Sequence, residues 1–257
     1  MAARSRTSPR IRTGTAGWSI ASAHRDLFAE GDSALARYAT RFDAAEVNSS
    51  FHRPHRHSTW ARWADTVPRD FRFSAKLPRT ITHDARLQAT GPLLDRFLGE
   101  VQGLGSKLAC LLVQLPPSLP FDARIAATFF AMLRRRWDGG VACEPRHASW
   151  FAPRVDAMWS RHRIARVAAD PAPVPAAALP GGAPHLRYWR WHGSPRIYYS
   201  AYGEASLDTL AAAIHASPPA AGGECWVMFD NTAHSHATPD AAAFQSRVPG
   251  RPARRRP

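Results

Sequence analysis

A carboxylate, a guanidinium and an imidazole follow one another at the end of an apolar run in this sequence. The run begins at Val141 and ends in Glu144, and Arg146 and His147 come directly after it. Such a run, ended by a proline, predicts a buried strand that holds the charged groups in an extended arrangement. A carboxylate can move a proton, and a guanidinium can bind an anion through two parallel hydrogen bonds. The segment therefore predicts acid–base chemistry beside a bound anion.

Polar or aromatic side chains also stand at the ends of the other apolar runs. The predicted catalytic residues are Glu46, Lys76, Glu144 and Asp230. The predicted substrate-binding residues are Trp18, Asn48, Gln114, Arg146, Arg190, His192 and Asn231. Asp170 ends a further run. Since carboxylates and cations occur together in this set, the pattern predicts a site where cations hold an anionic group while a neighbouring acid or base works on it.

Elements that could position these side chains alternate regularly along the chain. The eight predicted strands are Arg12–Ala16, Ala44–Asn48, Phe71–Lys76, Leu108–Gln114, Val141–Glu144, Ala165–Ala169, Leu186–Trp191 and Cys225–Phe229. The predicted helices are Ala34–Arg41, Thr59–Thr66, Pro92–Leu104, Asp122–Trp137, Pro153–His162, Leu207–His215 and Pro239–Arg247. This alternation predicts an α/β protein with a single TIM-like (β/α)8 barrel, and a doubly wound open sheet is the competing architecture. In a barrel all the strand ends share one face, so the polar residues would meet in one pocket.

Length and charge suggest one folded unit with basic ends. The chain has 257 residues, of which 45% are hydrophobic, and a formal net charge of +14. We expect a basic tail at residues 1–10, one domain at residues 11–247 and a second basic tail at residues 248–257. Eight of the 34 basic residues lie near the termini: Arg4, Arg6, Arg10, Arg12, Arg251, Arg254, Arg255 and Arg256. They predict weak, non-specific binding of nucleic acid.

Two features bear on the compartment. The sequence has no run of 18 or more apolar residues and no apolar segment near its start. We therefore expect no membrane partner and no export, and we expect the protein to be cytoplasmic. Cys110, Cys143 and Cys225 each stand inside an apolar run, which predicts buried, reduced cysteines.

Eight segments of the sequence resemble those of the YecE-like family, known as domain of unknown function 72. The matching segments are GTAGWS (14–19), EVNSSF (46–51), FSAKLPRTITH (73–83), LLVQLPPSLPFD (111–122), EPRHASWF (144–151), AAD (168–170), RWHGSPRIYYSAY (190–202) and MFDNTAHSHA (228–237). The resemblance implies a fold similar to a TIM barrel, with a site on it, and supplies no reaction. His52 stands where the family usually has tyrosine.

Three interpretations of the charged residues remain open. The first is an enzyme doing acid–base or hydrolytic chemistry on a small anionic, phosphorylated sugar or nucleotide-like substrate. The second is a nucleic-acid-binding or endonuclease-like barrel, and the third is a barrel that binds a ligand without catalysis. The sequence requires no cofactor. A divalent metal held by Glu46, Glu144, Asp230 and His192 is an alternative that the neighbouring cations oppose.

A purely structural alternative for the same residues is an internal ion-pair network that closes the barrel mouth. Such networks must offset the desolvation of every ion, so they are weak devices for stability, and this favours a functional role. The histidines at 52, 55 and 57 match no strong metal-ligand spacing and are expected in a solvated loop.

Overall fold

The computed structural model describes residues 10–248, so most of both predicted tails lies outside the described residues. The described part of the chain contains ten β-strands: β1 (Arg10–Thr15), β2 (Ala44–Val47), β3 (Arg72–Lys76), β4 (Leu108–Gln114), β5 (Gly140–Glu144), β6 (Ala165–Arg166), β7 (Ala168–Asp170), β8 (Gly181–Gly182), β9 (Leu186–Trp191) and β10 (Glu224–Phe229). Its α-helices are α1 (Ala34–Ala39), α2 (His57–Thr66), α3 (Gly91–Val101), α4 (Ala123–Arg134), α5 (Asp156–Arg161), α6 (Glu204–Ala216) and α7 (Ala237–Gln245).

The strands form two sheets in an α/β fold. One sheet has the order β1-β10-β9-β7, and the other has the order β2-β3-β4-β5-β6-β8. All neighbours are parallel except β6 and β8, which are antiparallel. The α/β class with parallel strands is therefore confirmed, while the hydrogen bonds define two sheets where the sequence predicted one closed sheet.

Strands β1 and β2, which belong to different sheets, approach each other closely. Ala16 and Glu46 form a parallel bridge, and the Gly17 N–H donates to the Glu46 carbonyl at 2.8 Å. Gly14 permits this approach, because a Cβ atom there would lie 2.1 Å from the Ala44 carbonyl oxygen. The bridge places the end of β1 beside Glu46.

Two local predictions were inexact, and one short strand was missed. The predicted strand Ala165–Ala169 is divided, because the Val167 N–H donates to Cys143 in β5 while β7 pairs with β9. The glycine pair of β8 was not predicted as a strand. The helix predicted from Pro153 starts as a 3-10 turn, Pro153–Val155, and becomes α-helical only at Asp156.

Helices cover the sheets with apolar faces. In α4 the buried residues Ala126, Phe129, Phe130 and Leu133 recur at helical spacing. The helix begins after Asp122, whose side chain accepts from the Ile125 N–H at 2.9 Å. The apolar face of α4 is therefore buried, and its exposed polar side chains lie on the opposite face.

The three cysteines lie in the interior of the fold. Cys110, Cys143 and Cys225 are all buried, which confirms the prediction from the sequence. Among residues 10–248, no helix is both long and apolar enough to cross a membrane.

Candidate functional site

Arg190, in β9, is the centre of a buried charged network at the carboxyl ends of the strands. Its Nε lies 3.0 Å from Glu46 Oε2, and its Nη2 lies 2.6 Å from Glu46 Oε1. Nη2 also donates to Asp230 Oδ2 at 2.9 Å, and Nη1 donates to Glu144. Arg190 and Glu46 are both fully buried. Three carboxylates from three strand ends therefore converge on one guanidinium, as the sequence predicted for a shared face.

His192 connects the two outer carboxylates of this network. Its Nδ1 lies 3.0 Å from Asp230 Oδ2, and its Nε2 lies 2.9 Å from Glu144 Oε1. Nε2 also lies 2.8 Å from Arg146 Nη2. His192 is fully buried, so both ring nitrogens are held by protein groups.

The charges of the network decide the ionisation of its carboxylates. Burial alone would raise the pKa of Glu144, but the charges of Arg146 and Arg190 outweigh it and hold that pKa well below its usual value. For Asp230 burial is likewise outweighed, chiefly by Arg190, and its pKa is lowered. Near neutral pH both groups are therefore carboxylates that accept hydrogen bonds.

Lys76 lies at the end of β3, beside this network but outside its ion pairs. Among the residues the structure describes, no carboxylate oxygen lies within 4.0 Å of its ammonium, whose Nζ is 4.2 Å from the centre of the Phe51 ring. Burial, followed by the charge of Arg190, lowers the pKa of Lys76 from 10.5 to about 8, although the nearby carboxylates partly offset this. A fraction of Lys76 is therefore neutral at physiological pH and able to accept a proton.

Arg146 and Asn48 lie at the edge of the network and are less buried than Arg190. Arg146 Nη2 binds Glu144 Oε1 at 2.5 Å, and Asn48 Nδ2 lies 3.5 Å from Asp230 Oδ1. Arg146 Nε and Asn48 Oδ1 are buried and have no hydrogen-bond partner among residues 10–248. Buried polar atoms nearly always have a partner, so these two atoms need an explanation.

Three other predicted binding residues lie outside the ion-pair network. Trp18 packs edge-on against Trp63, with ring centroids 5.0 Å apart. Asn231 donates to the Ser200 carbonyl and to Asp240, which ties two loops together. Gln114 is half-buried and pairs in register with Glu144 on the neighbouring strand.

Sequence reasoning missed Tyr188, which is hydrogen-bonded to Glu46 in the network. Its hydroxyl donates to Glu46 Oε2 at 2.9 Å and lies 2.7 Å from Ser74 Oγ. Tyr188 is fully buried and stacks on Trp226. The alternation of side chains along a strand could have found it, because Tyr188 and Arg190 are two residues apart and point to the same side.

Three other features were considered as sites: a metal-binding cluster, the histidines at 52, 55 and 57, and a surface cavity. Among residues 10–248, no group of three or more His, Cys, Asp or Glu side chains has a geometry that could hold a metal ion. His55 binds Ser49 Oγ and packs against Trp63, whereas His52 and His57 are exposed. A surface cavity of about 610 Å³ is lined by residues between Phe121 and His162, none of which belongs to the network.

Comparison with protein families matches residues 12–256 to the family described as "Protein of unknown function DUF72". The protein described as "UPF0759 protein YecE", from Escherichia coli strain K12, is 29% identical over 153 residues, which are 57% of this chain and 56% of that protein. Its counterpart from Escherichia coli O157:H7 is 30% identical over 48% of this chain and 44% of that protein. The chain therefore spans about half the length of the curated relatives it matches. These matches confirm the resemblance seen in the sequence segments.

Solved structures of two relatives have a similar fold. The DUF72 family protein EF0366 from Enterococcus faecalis V583 is 22% identical with a TM-score of 0.77, and the match covers 92% of this chain and 94% of that chain. The DUF72 family protein TM1631 from Thermotoga maritima MSB8 is 22% identical with a TM-score of 0.73, over 92% of this chain and 98% of that chain.

Proposed function

The chain belongs to the DUF72 family, and we propose that it is an enzyme that performs acid–base or hydrolytic chemistry on a small anionic substrate. The substrate is a phosphorylated sugar or a nucleotide-like compound, and it binds at the carboxyl ends of the strands. The observation that carries this proposal is Lys76, a buried ammonium with no salt bridge among the described residues and a pKa lowered to about 8.

A lysine in this condition is suited to two tasks. In its protonated form it attracts an anion, and in its neutral form it accepts a proton from the bound molecule. A pKa near the working pH allows both forms to be populated, which general acid–base catalysis requires. A guanidinium could not alternate in this way, since it does not lose its proton in proteins.

The other charged residues have supporting roles in this proposal. Arg146 binds the anion, because it lies at the edge of the network and its Nε is not yet satisfied by the described residues. Glu46 accepts hydrogen bonds from Arg190 and Tyr188, so we assign it to positioning Arg190. Glu144 and Asp230 orient His192 and balance the positive charges around Lys76. The predicted catalytic carboxylates thus act on the charge and position of their neighbours.

The chemistry of the unsatisfied atoms supports a hydroxylated anion. Arg146 Nε can donate to a phosphate or carboxylate oxygen, and Asn48 Oδ1 can accept from a hydroxyl group. A phosphorylated sugar presents both kinds of group. An anion without a hydroxyl group, such as sulfate, would satisfy the arginine and leave the Asn48 oxygen unpaired.

The proposed site requires one shared mouth, so we further propose that the two sheets form the wall of a single TIM-like (β/α)8 barrel. Two contacts support this. The bridge between Ala16 and Glu46 joins β1 to β2 at one junction. At the other, the segment 165–170 pairs with β5 through β6 and with β9 through β7.

Lysine NMR provides the test, because the chain has only two lysines, Lys76 and Lys107. With ε-¹³C-lysine in the full chain, we expect the Lys76 signal to titrate near pH 8. Inorganic phosphate should raise that midpoint, since a bound anion stabilises the protonated form. The Lys107 midpoint should not move, because Lys107 lies at the amino end of β4, where it donates to the Ala64 and Val67 carbonyls.

A Lys76 signal that titrates near its usual pKa, or that does not respond to phosphate, would overturn the proposal. If phosphate does raise the midpoint, the same signal serves to screen phosphate esters for the substrate. A shift caused by single-stranded DNA and not by any small phosphate ester would favour the nucleic-acid-binding alternative instead.

A further inference from the structure

Tyr198 stands over the charged network, in the loop that follows β9. Its backbone N–H donates to the His192 carbonyl, and its own carbonyl accepts from the Ala233 N–H at 3.1 Å. The residue is therefore held between the loops that follow β9 and β10. The same loop is fastened further along, where Asn231 Nδ2 donates to the Ser200 carbonyl at 2.9 Å.

The backbone of Tyr198 adopts a conformation that suits glycine. Its φ angle is +70°, in the left-handed region that bulky side chains rarely enter. Such residues persist only where the surroundings impose the conformation, and they gather at ligand sites. The conformation thus puts a large ring at this point of the mouth at some cost to stability.

The ring of Tyr198 presents an open surface next to the anion-binding cation. It meets the His192 imidazole edge to face, with centroids 5.9 Å apart, and the residue remains 41% exposed. Arg146 Nη2 binds the same imidazole at 2.8 Å. An aromatic ring and a guanidinium therefore both contact His192, one apolar and one charged.

On the basis of the anion site proposed above, we propose that the substrate is a ring-bearing anion, an aryl, heterocyclic or sugar ring attached to a phosphate or carboxylate. The anionic group binds Arg146 and Lys76, and the ring packs on Tyr198. The charge of Arg146 and the aromatic surface of Tyr198 are complementary to the two halves of such a molecule. Aromatic platforms of this kind bind rings regardless of their exact substituents, so Tyr198 sets the substrate class.

The test compares inorganic phosphate with phenyl phosphate, measured by calorimetry on the full chain. We expect wild type to bind phenyl phosphate about tenfold more tightly than phosphate. Tyr198→Gly should remove that difference and leave phosphate affinity unchanged. Glycine is chosen because it adopts a φ of +70° without the steric cost that other residues bear there, so we expect the variant to fold.

Tyr199→Ala is the matched control. Tyr199 is 38% exposed, close to Tyr198, but its ring packs against Arg196 at 4.1 Å and against His234. We expect this variant to retain the full preference for phenyl phosphate. Tyr198→Phe should also retain it, because the ring is kept and only the hydroxyl is lost.

The outcomes separate this inference from the proposed function. If wild type binds phosphate through Arg146 and gains nothing from the phenyl group, the ring-bearing substrate is wrong and the anion site stands. If Tyr198→Gly weakens both ligands equally, Tyr198 acts by shaping the site, and the inference is likewise wrong. If neither ligand binds wild type, both proposals fail.

Discussion

Glu46 and Arg190, 144 positions apart in the chain, form a two-point ion pair with no exposed surface on either side chain. A buried ion pair adds little net stability when intact, because both ions were removed from water. Removing one partner is different, since the other charge stays buried without compensation. The same guanidinium also binds Asp230 and Glu144, so its loss would remove a cationic partner from three buried carboxylates at once.

Arg190→Met should therefore cost about 3–5 kcal/mol of unfolding free energy, measured by urea denaturation. Arg247→Met is the control, because Arg247 also binds two carboxylates, Glu204 and Asp208, but at the surface. Exposed ion pairs contribute little, so we expect this second variant to unfold almost like wild type. Equal losses in the two variants would contradict the assignment of Arg190 as the centre of the network.

Lys76→Met should stabilise the protein near neutral pH. The pKa of Lys76 is about 8 in the folded state and 10.5 in a solvated chain, so below pH 8 the fold bears the full penalty of a buried charge. The shift corresponds to about 3 kcal/mol. As the pH rises from 8 towards 10.5, the folded protein loses this proton before the unfolded chain does, and wild type gains stability relative to the variant. Thermal unfolding at several pH values measures the difference.

Lys107→Met is the control for that experiment, and we expect the opposite sign. Lys107 donates to the Ala64 and Val67 carbonyls near the end of α2, so methionine removes hydrogen bonds without relieving a deeply buried charge. A stabilising effect at both lysines, or at neither, would contradict the burial argument for Lys76.

Anion affinity should fall as the pH rises through about 8. Sulfate is the suitable probe, since its own charge is constant over this range. Because the protonated form of Lys76 attracts the anion, we expect wild type to lose about tenfold in affinity between about pH 7 and about pH 9.5. Calorimetric titration measures this. Lys76→Arg stays charged, so its sulfate affinity should be independent of pH, and a parallel fall in that variant would exclude Lys76 as the titrating group.

Binding of DNA should depend on the chain ends and not on the charged network. Deleting residues 1–9 and 249–257 removes six arginines: Arg4, Arg6, Arg251, Arg254, Arg255 and Arg256. We expect the truncated protein to lose most non-specific DNA affinity and to show a flatter dependence on salt, because fewer phosphates are neutralised. Fluorescence anisotropy at several salt concentrations gives both quantities. Tight binding that survives truncation but fails in Lys76→Arg would favour a nucleic-acid enzyme.

The sequence predicted which strand ends carry charge, because apolar runs and the residues after them are local features. It did not predict which partner each charge would find. Glu46, Glu144 and Asp230 were predicted as catalytic residues, and the sequence did not indicate that all three would accept hydrogen bonds from Arg190. That arrangement depends on how the strands pack side by side, and no spacing along the chain encodes it.

The two lysines show the same limit. Only Lys76 and Lys107 among the 34 basic residues are lysines, and Lys76, which was predicted at a strand end, lies beside the network. Lys107 precedes β4, and its contacts with Ala64 and Val67 could not be read from sequence. The contacts arise because the turn before β4 lies beside the end of α2, a tertiary relationship.

Lys76→Arg and Arg146→Lys form a reciprocal pair that separates charge from proton transfer. Both keep one positive charge at each position. Arginine at 76 still attracts an anion but cannot give up its proton, so we expect kcat to fall by about a hundredfold or more with KM nearly unchanged. Lysine at 146 loses the planar donor that binds Glu144 and lies beside His192, so KM should rise while kcat changes little. Steady-state kinetics on the phosphate ester identified by the lysine signal measures both parameters. A Lys76→Arg enzyme with wild-type kcat would show that Lys76 supplies only charge, and proton transfer would then have to come from another group.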